Sequence, residues 1–596
     1  MPVYRAPVED MRFLLHDFLD LGKYSNLPGF ADATPDVINA ILEEGAKLAE
    51  EVLFPLNQSG DEEGCHWKDG VVTTPKGFDG AYKTFVEGGW TGLTCEQEHG
   101  GQGLPNVLGI AFSEMIVSAN MAFGTYPGLT RGAYEAIKRH GDATQKQTYL
   151  PRMASGEWSG TMNLTEPHCG TDLGLIRTKA EPHDDGSYRI TGTKIFISAG
   201  EHDLVPNIIH LVLARLPDAP EGTRGISLFI VPKFLVNADG SIGKRNGVVC
   251  GSIEKKMGIK GSATCVMNYD NAIGYLIGEK NRGMRAMFTM MNEARLGVGV
   301  QGLGLSEVAY QNAAKYAKER TQGRSVTGAK ETDKPADSII VHPDVRKMLL
   351  TARAFNEGAR ALAYWTALHV DLAHNHPDPA ERAAAEDLLA LMTPVVKAYL
   401  TDTGFESSNW ALQCFGGHGY IRENGMEQYV RDGRITQLYE GTSGIQALDL
   451  VGRKLPQGTG RLLRQFFHPV DNFIQGNLDN SALKDIVPNL AKSFARLQQA
   501  TAYIAEQGLK NPEEAAAAAS DFLKMFGLVA MGYMWAQMAA MAATKLAEGT
   551  GDKQFYERKQ HLARFFMDKI LPDTSSLLSR ITAGGASLMA MEADAF

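Results

Sequence analysis

Gln413-Cys-Phe-Gly-Gly-His-Gly-Tyr420, followed by Arg431-Asp-Gly-Arg-Ile-Thr-Gln-Leu-Tyr-Glu-Gly-Thr-Ser-Gly-Ile-Gln446, is the most specific stretch of this sequence. Gly416, Gly417 and Gly419 make a tight turn through which backbone can approach a ligand closely. The turn matches neither GxGxxG nor GxxxxGK[ST], and taken alone such a cluster ends a helix more often than it cradles phosphate. Glu440, between Tyr439 and Gly441, is the single carboxylate in an otherwise uncharged run from Thr436 to Leu448. Lone carboxylates are usually solvated caps, so this residue needs further support before it carries chemistry.

Working outward, apolar positions recur at three and four through Met284 to Lys318, Pro343 to His374 and Pro379 to Trp410, which predicts long helices. Pro343 is well placed to open its helix, because a first-turn residue needs no amide donor. Between Gly160 and about Gly283 the period is strand-like, in Tyr188-Arg-Ile-Thr, Lys194-Ile-Phe-Ile-Ser, Ile208 to Leu213 and Ile226 to Val231. Asp184-Asp-Gly and Asn237-Ala-Asp-Gly supply turns between such strands. Residues 35 to 160 read mainly as helices, with His99-Gly-Gly-Gln-Gly103 too glycine-rich to continue one. Gly328 to Ser338, with Pro335 inside it, reads as an exposed loop, and Lys454-Leu-Pro-Gln-Gly-Thr-Gly460 as a break before a region whose Ala515 to Ala519 run favours helix. The expectation is an α+β chain: an N-terminal extension (1–34), a helical domain (35–160), a β-domain (161–283), a helical core (284–455) and an additional helical domain (461–596).

A length of 596 residues allows more than one buried core, and 44% apolar with 21% charged residues is ordinary for globular chains. The net charge of -10 and the lack of a long Lys/Arg block argue against nucleic acid as a partner. Cys65, Cys95, Cys169, Cys250, Cys265 and Cys414 are scattered with no CxxC pair, so they read as reduced thiols and give no metal site. The first apolar stretch, Met11 to Leu21, is broken by His16, Asp17 and Asp20 and lacks a signal peptide's basic start, which gives a cytoplasmic expectation. From Met525 to Thr544 the chain is uncharged for roughly the length of a membrane span. Gln537 inside it and Lys524, Lys545 and Glu548 around it favour a helix buried in a bundle or subunit interface over membrane contact.

With these readings in place, the chain resembles the acyl-CoA dehydrogenase family from about residue 35 to 455. Leu164-Thr-Glu-Pro-His-Cys-Gly-Thr-Asp172 resembles the family's LTEPxAGSD loop, Lys194-Ile-Phe-Ile-Ser198 its K-x-W/F-I-T/S strand and Glu319-Arg-Thr-Gln322 its ERxxF segment. Gln413 to Gly417 resembles QxxGG, and Tyr439-Glu-Gly-Thr442 resembles the catalytic segment. Five motifs in the family's order change the reading of Glu440.

The resemblance implies FAD, with the isoalloxazine ring along Met162, Leu164, Thr165, Gly170 and Thr171, Phe196 packing on it, and Thr165 and Ser198 bonding its polar edge. Without the motif, Phe196 would read as a core aromatic. The resemblance places Arg320, with Gln322, against the pyrophosphate, where a guanidinium suits paired oxygens. It places Gln413, Gly416 and Gly417 on the adenosine half from a neighbouring subunit, with Thr442 and Gly444 also on the cofactor, implying a homo-oligomer, dimer or tetramer. Glu440 would remove the α-proton of an acyl-CoA while flavin N5 takes the β-hydrogen as hydride, and electrons would leave to an electron-transfer flavoprotein. Some relatives carry the base immediately before an arginine that corresponds to Arg295; here that position is Ala294, which cannot take a proton. Glu293, Arg295, Thr171 and Gly441 then fall to substrate binding, with a surface ion pair as the bland reading of the first two.

His168 and Cys169 depart from the small residues usual in the flavin loop, and Pro343 stands where many relatives have glutamine. The Thr327 to Ser338 insertion and the region beyond 460 resemble a longer bacterial subgroup that includes 3-methylthiopropanoyl-CoA dehydrogenases. That likeness implies 3-methylthiopropanoyl-CoA or another short to medium acyl-CoA, within fatty acid metabolism or dimethylsulfoniopropionate degradation. Rival readings are an acyl-CoA oxidase or flavin monooxygenase of the same fold, and a non-catalytic acyl-CoA-binding protein.

Overall fold

The computed structural model describes residues 2–596. The chain divides into two compact units, one of residues 1–43, 105–114 and 298–596, the other of residues 44–104 and 115–297.

In the second unit a seven-stranded sheet holds the middle of the chain. Its strands close into a ring: Thr264–Ile277 pairs with Tyr188–Ser198, which pairs with Lys179–Pro182, then Asn207–Arg215, then Ile226–Pro232, which returns to Thr264–Ile277. Closure leaves only Val248–Ile253 and Trp158–Asn163 as outer strands of the sheet. Trp158–Asn163 lies parallel to Asn207–Arg215, and both strands are buried almost throughout, as the largely apolar run of the second requires. The turns expected at Asp184 and Asn237 are present, with Gly186 and Gly240 both at φ 80.

Two long helices, Asn106–His140 and Gly283–Glu319, contain residues of both units. The first is broken at Asn120 (φ -159, ψ 90), whose side chain accepts from the Phe123 amide and so caps the second half.

The first unit is helical. Pro343–Asn375 opens on Pro343, and Pro379–Phe415 ends at Gly416, which turns the chain with φ 57. The glycine cluster is therefore a helix-ending turn. Gly302 and Gly404 let Pro379–Phe415 cross the 298–319 part of its neighbour at backbone contact: a Cβ on Gly302 would come within 2.4 Å of the Leu400 carbonyl oxygen, and one on Gly404 within 2.3 Å of the Gly302 oxygen. This crossing matters below, because Gln301 and Lys397 both stand beside it.

The appended region comprises Arg461–Gly476, Val487–Lys510, Pro512–Glu548, Lys553–Lys569 and Thr574–Thr582 as its longer helices. Met525 to Ala536 is buried without interruption, with Phe526 4.9 Å from Phe466 and the Trp535 indole donating to the Ala354 carbonyl at 3.0 Å. The uncharged run is thus covered by helices of this chain. The N-terminal apolar stretch is covered likewise: Phe13 packs edge-on against Phe555 at 5.3 Å, and Asp17 pairs with Lys545 at 2.8 Å.

The 327–338 insertion is exposed for much of its length, as expected, but it is wound around a buried carboxylate. Asp337 accepts from the backbone amides of Ser325, Lys330 and Glu331 and from Arg324, and these donors hold its carboxyl far below the usual range.

Candidate active site

The residues assigned to the flavin ring lie together in the second unit, on the 164–172 loop and the end of strand Tyr188–Ser198. A buried ion pair fixes the loop to the strand. Glu166, 3% exposed, accepts from Lys194 Nζ at 2.8 Å, from the Thr178 hydroxyl at 2.6 Å and from the amides of Arg177 and Thr178. Burial pushes its carboxyl up, but the Lys194 ammonium and these donors outweigh that and leave it below the ordinary value. Lys194 also donates to the Leu164 carbonyl at 2.9 Å, and the Ile195 amide to Thr165 O at 2.9 Å. Leu164, Thr165 and the strand are therefore held at fixed spacing. His168 and Cys169 bring donor atoms within 4.8 Å of Glu166, but the carboxylate is already shared among its four donors.

Phe196 breaks the rule that a large aromatic is buried. The register against Thr264–Ile277 shifts between Cys265 and Met267, opposite Ile197 and Lys194, and Phe196 sits in this bulge at φ 58. The bulge keeps Lys194 and Ile197 inside and turns Phe196 outward, 60% exposed, with half-buried Ser198 two residues on. A non-glycine residue in this backbone region costs on the order of 1–2 kcal/mol. A core aromatic would be placed without that cost, so the strain presents a ring to something outside the barrel. Thr165 and Met162 are half-buried, and Gly170 and Thr171 are exposed on the loop. On this geometry, Phe196→Gly is expected to leave the cofactor-free protein no less heat-stable, by relieving the strained φ, while weakening FAD binding about tenfold through loss of a stacked ring. Thermal melts with and without FAD and a flavin fluorescence titration measure both.

Glu293 and Arg295 do not stand as an exposed ion pair. Glu293 is half-buried, and burial together with the Glu135 charge pushes its carboxyl up to about 7 against the pull of Arg131, Lys138 and Arg139. Arg295 is buried with its guanidinium 5.9 Å from the Phe288 ring.

The first unit carries the proposed base. Helix Met426–Arg434 and a short 3-10 turn, Ile435–Gln437, lead to Glu440, which is half-buried at φ 57. Thr442 then caps helix Ser443–Asp449 by accepting from the Ile445 amide at 3.3 Å. This turn is sewn down on all sides. Tyr439 donates to Gln301 Oε1, Gln437 and Ser443 both donate to Asp402 Oδ1 (2.9 and 2.7 Å), and Gln446 Nε2 donates to the carbonyls of Glu440 and Gly441 (3.1 and 3.2 Å). Lys397 Nζ donates to the Gly441 carbonyl at 2.8 Å. Burial and the Glu440 charge both hold the Tyr439 phenol protonated well above its usual range. Gly441 and Thr442 are half-buried and Gly444 exposed, so the face after Glu440 stays open.

Arg320 follows the last turn of Gly283–Glu319, exposed, with its guanidinium 3.4 Å from Gln322 Oε1. Tyr316, one turn earlier, stacks on Phe415 at 4.1 Å and bonds His418, next to exposed Gln413, Gly416 and Gly417. A Cβ at Gly416 or Gly417 would meet nothing within 4 Å, so within this chain their approach side is open. Reading the sequence alone missed Lys397, Gln301 and Gln446. Only the last carried a signal, as the end of the catalytic stretch.

The second unit thus offers an outward aromatic on a strand barrel, and the first a strained, braced carboxylate among long helices. Family models described as the acyl-CoA dehydrogenase N-terminal, middle and C-terminal domains match residues 38–157, 161–272 and 281–455, and one described as acetyl-CoA dehydrogenase C-terminal like matches 466–592. The chain is 44% identical over 588 residues to a 3-methylmercaptopropionyl-CoA dehydrogenase of Ruegeria pomeroyi, covering 98% of this chain and 99% of that one. It is 36% identical over 609 residues to a butyryl-CoA dehydrogenase of Syntrophomonas wolfei, covering 100% and 99%. The solved structure of an acyl-CoA dehydrogenase from Bacillus anthracis complexed with FAD shares the fold at a TM-score of 0.74 and 20% identity, over 92% of this chain and 88% of that one. The chain belongs to the acyl-CoA dehydrogenase family.

Proposed function

We propose that this protein is an FAD-dependent acyl-CoA dehydrogenase that desaturates 3-methylthiopropanoyl-CoA, or a short to medium acyl-CoA of similar length, between its α and β carbons. The observation that carries the reading is Glu440, a half-buried carboxylate at φ 57 with side-chain donors on its own carbonyl and on that of Gly441.

The residues present fit FAD. Phe196 offers a bare aromatic face, Thr165 and Ser198 offer hydroxyls near it, and Arg320 offers an exposed guanidinium of the geometry that diphosphate requires. When bound, the flavin supplies the acceptor for the β-hydrogen. The chain's own part is the proton: Glu440 takes it from the α-carbon, and a thioester seated over the carboxylate excludes water and strengthens it as a base. Charge then develops on the thioester oxygen, and a backbone amide already fixed by its turn stabilises that charge without reorganising. The turn from Tyr439 to Ser443 is fixed in this way.

The acyl preference rests on the likeness to the Ruegeria enzyme along nearly the whole chain, including the region beyond 460. The same reading takes an electron-transfer flavoprotein as acceptor, a cytoplasmic dimer or tetramer as the working form, and the divisions at 35–160, 161–283, 284–455 and 461–596 as its domains. The test is a titration of the purified yellow protein with a panel of acyl-CoAs under nitrogen. Bleaching of the flavin band is expected to be tightest with 3-methylthiopropanoyl-CoA and butyryl-CoA. Equal response to long-chain thioesters would remove the substrate claim, and failure to bleach with any would remove the activity.

A further inference from the structure

Lys397 is a lysine in the interior of helix Pro379–Phe415, with no exposed surface. A buried ammonium is costly unless paired, and a lysine in a long helix would ordinarily reach water. Its Nζ instead donates at 2.8 Å to the carbonyl oxygen of Gly441, the residue after the proposed base. The same oxygen accepts from Gln446 Nε2 at 3.2 Å, and Gln446 is itself fully buried and bonds Glu440 O at 3.1 Å. Two donors fix the Gly441 carbonyl and Gln446 also holds the Glu440 carbonyl, so the peptide planes on both sides of Gly441 are fixed.

Glu440 holds φ 57 without the permissiveness of glycine, a strained backbone for a residue with a side chain. Hydrogen bonds from a charged donor are among the stronger ones, and this one works against relaxation of the strained residue. The close crossing at Gly302 and Gly404 brings Gln301, which holds Tyr439 on the other side of Glu440, to the same helix pair. The base is therefore clamped before and after.

We infer that Lys397 is a positioning residue for proton abstraction, acting on Glu440 through the Gly441 carbonyl and supported there by Gln446. The inference rests on Glu440 being the base. Lys397→Met keeps the length of the side chain and removes the donor. Displacing a reacting group by about 1 Å can cost a hundredfold, so α-proton removal should slow between about tenfold and a hundredfold.

The experiment uses the FAD-loaded enzyme and a 3-thia-acyl-CoA, which has no β-hydrogen to lose, so that α-proton exchange into deuterated water reports Glu440 alone. For Lys397→Met the expected result is slowed exchange with flavin content, melting temperature and thioester affinity near wild type, and partial recovery in Lys397→Arg. Wild-type exchange in Lys397→Met overturns the inference. So does loss of exchange that merely follows loss of flavin from a folded variant. If Lys397→Met does not fold, Gln446→Leu carries the same test: it should slow exchange at unchanged thioester affinity, and unchanged exchange overturns the inference. A normal wild type beside an equally fast Lys397→Met sinks this inference alone. A wild type that neither holds flavin nor exchanges sinks the functional reading and this inference together.

Discussion

Glu440→Gln is expected to lower the rate of substrate-dependent flavin reduction by about ten-thousand-fold, the upper part of the range that a positioned general base supplies. Glutamine is nearly isosteric and keeps the backbone, so the donors on Glu440 O and Gly441 O remain, and flavin content and thioester affinity should change little. The loss should therefore fall on kcat and kcat/KM together, the pattern of an interaction made only in the transition state. Anaerobic stopped-flow bleaching with butyryl-CoA measures it. The prediction discriminates because the chain offers a second carboxyl whose affinity for protons is poised near neutrality. Glu293 is pushed up to about 7 by burial and Glu135, one position before the place where some relatives carry their base. If Glu440→Gln kept more than a tenth of the rate, the base would lie elsewhere, and Glu293 would be the first residue to replace.

The barrel strands were readable because continuous apolar runs such as Asn207–Arg215 and Ile226–Pro232, bounded by turn residues, have few other uses. Pro343 and the helix-ending glycines were readable for equally local reasons. Phe196 was not: nothing in Lys194-Ile-Phe-Ile-Ser marks a bulge, and without the motif the ring reads as core. Lys397 was hidden for the opposite reason. A lysine amid a helical pattern reads as solvent-facing, and only the crossing at Gly302 and Gly404 turns that face inward. The insertion's order depends on Asp337 gathering amides from Ser325 to Glu331, a local arrangement that composition reads only as a polar loop. Hardest of all are contacts between distant stretches, such as the buried ionic cluster that joins Asp10, Glu114, Glu307 and Arg360.

Arg360→Met is expected to destabilise the first unit by about 3–5 kcal/mol, because it removes the cation from three buried carboxylates. Arg360 is 1% exposed and bonds Asp10 Oδ2, Glu114 Oε1 (2.8 Å) and Glu307 Oε2 (2.9 Å), joining the N-terminal segment to core helices. Lys559, from the appended region, bonds both Asp10 and Glu357, so the cluster joins the two ends of the chain. Burial already pushes the Glu114 carboxyl up, although Arg360 and Tyr364 draw it down. Without the arginine, the Glu114 carboxyl should bind its proton still more readily folded than unfolded. A folded pKa raised above the unfolded one gives stability that is present at low pH and lost as pH rises through the folded value. The difference in melting temperature between variant and wild type should thus be widest near pH 8 and narrow toward pH 5. Glu357 sets the opposite slope in both proteins: Lys559 and Arg353 hold it at about 2 despite its burial, so its contribution is lost only as pH falls toward that value. Adding Glu307→Gln to Arg360→Met should recover part of the loss, since residues sharing one ionic network do not contribute independently. A pH-independent difference, or no recovery in the double variant, would mean that Arg360 acts by filling space and that its three partners find other counter-charges.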